Sequence, residues 1–150
     1  MPKPTAKSVK RIEIRVTRER VAEYQRVCSN STQVAVLASE ILAHQDQEVV
    51  LVFLLDTKNL ITGYIEAARG TLDSCALHPR EVFRAAVLQS ARSIILCHNH
   101  PSGDTTPSAD DCEITKRLTA AGQLLGIPVL DHVIVAAGAV HFSFLDHGQL

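Results

Sequence analysis

Residues 93–111 read SIILCHNHPSGDTTPSADD. The opening SIILC, residues 93–97, is short and continuously apolar, which predicts a strand buried on both faces. Pro101, Gly103 and Pro107 interrupt any regular structure between His100 and Ser108, so this strand runs into a loop. Ser108 is then a natural N-cap, with Asp110, Asp111 and Glu113 in the first turn of a helix. That helix is expected to run to about Leu125 and to stop at Gly126-Ile127-Pro128.

Outward from this unit, residues 48–56, EVVLVFLLD, form a second apolar run and predict a central strand. Thr57-Lys58-Asn59 supplies a turn and residues 60–66 a returning strand, broken at Gly70-Thr71. Pro79 suits the first turn of a helix reaching about Ser90, with Glu81 at its positive end. Residues 129–136 and 139–145, around a turn at Gly138, complete the strands. Nearer the start, Ser31 or Thr32 is expected to cap a helix to about His44, and Thr17 a short one to about Cys28. Ile12, Ile14 and Val16 alternate with Arg11, Glu13 and Arg15, predicting a half-buried strand over residues 9–16. Strands alternating with helices imply an α/β fold with a mixed β-sheet flanked by helices. The expected division is a basic tail, strand and helix over residues 1–28, then the main domain over 29–150, all in one compact unit.

The composition agrees with this. Of 150 residues, 46% are hydrophobic and 21% charged, as in an ordinary soluble domain, which excludes a disordered, collagenous or coiled-coil chain. No stretch approaches the ~20 apolar residues of a membrane helix, and MPKPTAKSVKR has no signal-peptide core. Four cysteines without a C-x-x-C pair make a reduced, cytoplasmic setting the expectation. The net charge of −1 conceals an asymmetry: residues 1–26 carry eight Lys/Arg and three Glu, the remainder seven Lys/Arg and thirteen acids. Such an arm can attract nucleic acid, or serve simply as a solvated charged face.

His98 and His100 stand two apart at a strand end, so their imidazoles share a side and can bind one metal ion. Asp111 shares a helix face with Ile114 and Leu118. That face packs inward, where an ionised carboxylate is costly unless paired, hydrogen-bonded or metal-bound. Two His and one carboxylate leave a fourth tetrahedral position for water, the pattern of a catalytic zinc site. Such a site needs a base. Glu48 opens the central strand and Glu66 ends its neighbour's pattern, and spacing alone leaves both as candidates. Cys97 alternates to the face opposite His98 and is expected in the core. Asp131-His132 either borders the cleft or hydrogen-bonds at a strand start.

His98-x-His100, seven residues, Ser108, two residues and Asp111 resemble the JAMM signature of the JAB1/MPN metalloproteases. With HPREVF upstream and LGIPVLDHVIV downstream, the chain resembles the RadC branch of that superfamily, over roughly residues 48–137. The resemblance implies the JAB1/MPN, cytidine-deaminase-like fold and one zinc per chain held by His98, His100 and Asp111. It carries the general base over to Glu48, and gives Ser108 the role of stabilising the oxyanion or orienting the water. The implied activity is metallopeptidase-type hydrolysis of a peptide or isopeptide bond in a protein or peptide substrate, by a Glu-activated water at zinc. A DNA-repair-associated accessory protein, with a structural metal and the basic arm as its nucleic-acid contact, is the alternative; a peptide-binding scaffold without cleavage is a third. RadC-like proteins often carry a helix-hairpin-helix unit ahead of this domain. The residues before Glu48 lack that unit's glycines, which makes DNA contact the lesser expectation.

Overall fold

A computed structural model describes residues 11–17, 28–70 and 77–150. Its elements run α1 (Ser31–Ile41), β1 (Val49–Leu55), β2 (Ile61–Arg69), α2 (Pro79–Leu88), β3 (Ser93–Asn99), α3 (Ala109–Leu125), β4 (Val129–Val135), a 3-10 turn (Ala137–Ala139) and β5 (His141–Ser143). The sheet order is β2-β1-β3-β4-β5. Only the β3–β4 pair is parallel, because α3 carries the chain back across the sheet between them; the other pairs are antiparallel. The sheet is mixed and flanked by helices.

Both β1 and β3 are buried along their whole length, which is why neither shows an alternating pattern. Alternation nevertheless decides what each side chain meets. Odd-numbered Val49, Leu51, Phe53 and Leu55 of β1, with Ile95 and Cys97 of β3, pack with Val34, Ala35, Leu37 and Ala38 of α1. Even-numbered Val50, Val52 and Leu54, with Ile94 and Leu96, pack with Val82, Phe83 and Ala86 of α2 and with Ile114 and Leu118 of α3. Each fully buried Leu, Ile or Phe in these layers contributes about 1.5–3 kcal/mol. The two α-face layers lie on opposite sides of one sheet.

Several boundaries differ from the sequence reading, each for a local reason. Asn30, rather than Ser31 or Thr32, caps α1, its side chain accepting from the Gln33 amide. The helix ends at Ile41, ahead of His44 at φ 64°. Strand β2 runs on to Arg69, since residues beyond Glu66 still pair with Val49 and Val50. Strand β5 shortens to three residues because Gly138 (φ 72°) and Ala139 (φ 60°) sit inside a turn that occupies the expected strand start. The expected strand over residues 9–16 is corrected: residues 11–17 carry neither helix nor strand, and Ile12 and Ile14 are 82% and 67% exposed. Alternation needs a partner strand to become a ladder, and among the described residues none pairs here. The helix expected from Thr17 to Cys28 lies largely outside the described residues. Among the described residues, no helix is long and apolar enough to cross a membrane.

Candidate metal centre

The even-numbered face that buries Ile94 and Leu96 continues along β3 to His98 and His100. Opposite them stands the first turn of α3, where Asp111 joins Ile114, Thr115 and Leu118 on the buried face. His98 is 0% and Asp111 1% exposed. The Asp111 Oδ1 lies 3.3 Å from His98 Nε2 and its Oδ2 3.3 Å from His100 Nε2, and the two imidazole Nε2 atoms are 3.0 Å apart. Among the described residues, these three form the group of ligand atoms close enough to hold one ion.

Hydrogen bonds behind the cluster determine which atoms are free to donate lone pairs. The Thr115 hydroxyl donates to the Asp111 carbonyl oxygen at 2.6 Å. Its single proton being so used, Thr115 Oγ1 must accept from His132 Nδ1, 2.6 Å away. Burial pushes the His132 imidazole well below its usual range, with the neighbouring His98 adding to the effect, so the ring is neutral and its Nε2 is an acceptor. That Nε2 lies 2.8 Å from His98 Nδ1, which therefore carries a proton. His100 Nδ1 likewise faces an acceptor, the Asp104 carbonyl, at 2.6 Å. With each Nδ1 facing an acceptor, Nε2 is the atom that each ring turns to the Asp111 carboxylate. At about 3 Å from one another these atoms need a positive charge among them, supplied by a proton on an imidazole or by a metal ion. The donor set fits a divalent metal, and its partners behind the first layer are those that orient metal-bound histidines.

Asp111 has a second task. It is the third residue of α3 and closes a capping box: its Oδ2 accepts from the Ser108 amide at 2.8 Å, while Ser108 Oγ accepts from the Asp111 amide at 3.0 Å. Burial disfavours its charged form, but hydrogen bonding to His98 and Ser108, with the Coulombic pull of His98, outweighs this and holds the carboxyl well below its ordinary range. The Ser108 hydroxyl accepts in this cap, so its own proton is available to donate, and capping does not compete with a second role.

Glu48 lies immediately before β1 and is half-buried. The β1–β3 register ends with Val50 opposite His98, which brings the start of β1, just after Glu48, alongside the end of β3 that leads to His100. The Glu48 neighbours Asp46 and Gln47, with Gly70, Pro101 and Ser102, line a cleft of about 390 Å³. Glu66 is engaged elsewhere: hydrogen bonding to Arg69, at 2.8 and 2.9 Å, lowers its carboxyl. Cys97 lies in the α1-side core, where burial pushes its thiol upward. Asp131 belongs to the closing segment, accepting from Ser143 Oγ, the Leu145 amide and the His132 amide.

Sequence reasoning missed the connection from His132 to His98. Parity could have revealed it, since His132 pairs with Leu96 on the same face, but only after an irregularity in β4 beside Ile94 and Ile95 is known. Thr115 was legible in principle, four residues after Asp111 on the same helix face.

Residues 28–149 match the model of the RadC-like JAB domain. Among curated proteins, the chain is 52% identical over 104 residues to a UPF0758 protein of Trichlorobacter lovleyi, covering 69% of this chain and 45% of that one. It is 49% identical over 119 residues to a UPF0758 protein of Clostridium perfringens, covering 79% and 52% respectively. A UPF0758 protein of Rubrobacter xylanophilus is 49% identical over 109 residues, 73% of this chain and 47% of its own length. The chain thus spans about half the length of the curated relatives it matches. With that match over the whole sheet and the cluster it carries, the chain belongs to the RadC-like JAB domain family.

Proposed function

We propose that this domain is a zinc-dependent hydrolase of peptide or isopeptide bonds, holding one zinc through His98 Nε2, His100 Nε2 and Asp111. The observation that carries the proposal is the convergence of two imidazole nitrogens and a buried carboxylate, each carboxylate oxygen 3.3 Å from one of them, with the other nitrogen of each ring held by a hydrogen bond from behind. Two nitrogens and one oxygen suit zinc and leave a tetrahedral position open, the pattern of a catalytic site. When bound there, zinc supplies Lewis acidity for the scissile carbonyl and brings the pKa of water towards ~7.

The chain's own residues do the rest. Glu48 accepts the proton of the attacking water and passes it to the leaving amine nitrogen, a general acid–base contribution typically of about 10²–10⁴-fold. The Ser108 hydroxyl donates to the carbonyl oxygen as it gains charge, a contribution of about 3 kcal/mol. Asp104 and His132 keep the two imidazoles in the ligand tautomer. The cleft between residues 46–48, Gly70 and residues 101–102 receives the extended substrate beside Glu48. The test is zinc-dependent cleavage of a fluorogenic peptide library by wild type and by Glu48→Gln. Cleavage lost in the variant at unchanged zinc content supports the reading; equal turnover by both removes Glu48 as the base.

A further inference from the structure

Asn99 stands between the two histidines, and alternation directs its side chain away from them. It is nonetheless 7% exposed, because its carboxamide turns sideways onto the chain entering β1. Its Oδ1 accepts from the Val49 amide at 2.7 Å, and its Nδ2 donates to the Gln47 carbonyl at 2.9 Å. Those two backbone groups flank Glu48. The Glu48 carbonyl itself accepts from the Gly70 amide at 2.8 Å, beyond the end of β2. The β1–β3 register ends at Val50 and His98, and the next residue but one on that side, His100, directs its amide to the Val135 carbonyl on β4. The Asn99 carboxamide does what a peptide group would do, bonding to the main chain that enters β1 one step beyond the last register pair. The same residue that spaces His98 from His100 grips both sides of Glu48.

We propose that Asn99 is a positioning residue for Glu48, fixing the distance between the general base and the metal ligands through its two hydrogen bonds. The inference rests on the reading of Glu48 as the base. A buried side-chain amide with both ends bonded to main chain leaves the Glu48 backbone no independent movement relative to His98 and His100. Displacement of a catalytic group by about 1 Å can cost on the order of 10²-fold in rate.

The experiment uses the full chain loaded with zinc and the best-cleaved fluorogenic peptide from a library. Asn99→Ala is expected to lower kcat by about 10–100-fold, with KM within about twofold and zinc stoichiometry unchanged. In a Glu48→Gln background it should lower kcat no further, because its effect passes through Glu48. Asn99→Asp, isosteric and protected against collapse of the site, keeps an acceptor for Val49 but sets a carboxylate against the Gln47 carbonyl, and should also lose activity. Amide hydrogen exchange at Val49 gives a readout independent of turnover: accelerated in Asn99→Ala, slow in wild type and in Asn99→Asp. Unchanged Val49 exchange in Asn99→Ala, or an equal further loss of kcat in the Glu48→Gln background, overturns the proposal. Wild-type kcat in Asn99→Ala beside an inactive Glu48→Gln refutes the positioning role alone. A fully active Glu48→Gln, or a zinc-loaded wild type that cleaves no peptide of the library, refutes the underlying reading and this inference with it.

Discussion

His132 Nε2 lies 2.8 Å from His98 Nδ1, inside a region where both rings are almost wholly excluded from water. A metal ligand held from behind by a second imidazole loses its correct tautomer when that imidazole is removed. His132→Leu is therefore expected to weaken zinc binding by about 10–100-fold, measured by competition with a chromophoric chelator. His132→Gln, which can accept from His98 and donate to Thr115, should recover much of the loss. Equal zinc affinity in wild type and His132→Leu would show that the imidazole pair has no bearing on the metal.

Ser108 separates stability from chemistry. Its cap satisfies the Asp111 amide, yet glycine at an N-cap costs only a few tenths of a kcal/mol relative to serine. Ser108→Gly is expected to melt close to wild type while its turnover falls by about 10²–10³-fold, the usual cost of one oxyanion donor. Peptide hydrolysis and thermal unfolding, measured on the same preparation, check this. Turnover within twofold of wild type would leave Ser108 as a cap and nothing more.

Gly122 reverses an ordinary rule. Replacing glycine by alanine within a helix normally stabilises it by up to about 1 kcal/mol. A Cβ at this position would lie 2.5 Å from the Ile127 carbonyl oxygen and 3.2 Å from the Phe83 ring. The backbone of α3 cannot move away without disturbing the turn that leads into β4. Gly122→Ala should accordingly destabilise the domain by about 1–3 kcal/mol in denaturant unfolding. A variant as stable as wild type would mean that α3 is not seated as described.

Asp111 gives the metal-free protein an acid-sensitive component. Its carboxyl is held below the ordinary range in the fold, so its contribution is complete above the unfolded value of about 3.9 and is lost as pH falls towards the folded value. Wild type should lose stability below about pH 4 more steeply than Asp111→Asn, which has no carboxyl to protonate. Parallel stability curves between pH 5 and pH 2 would contradict the buried ion pairing.

Most of the sheet was legible because continuous apolar runs such as EVVLVFLLD have few alternatives at that length. The cluster was legible because His98 and His100 occur at strand spacing and Asp111 falls on an apolar helix face. What escaped depended on contacts between distant segments. Asn99 bonds to residues about fifty positions earlier, and its type alone gives no hint of them. His132 reaches His98 only once β4 is known to lie parallel to β3 with its irregularity. Conversely, Ile12, Ile14 and Val16 have the pattern of a strand but no neighbour to pair with among the described residues, and are exposed. Periodicity reports what a segment could bury, whereas burial itself is decided by the partner.

The central claim is that His98, His100 and Asp111 bind a single zinc ion through the atoms that already converge. Anomalous diffraction at the zinc absorption edge, from crystals of the full chain grown with zinc, tests it most directly. The account predicts one peak per chain, within bonding distance of His98 Nε2, His100 Nε2 and an Asp111 carboxylate oxygen, at about 2.0–2.2 Å. Fully occupied zinc elsewhere, with protons alone bridging Asp111 to the two imidazoles, would contradict it.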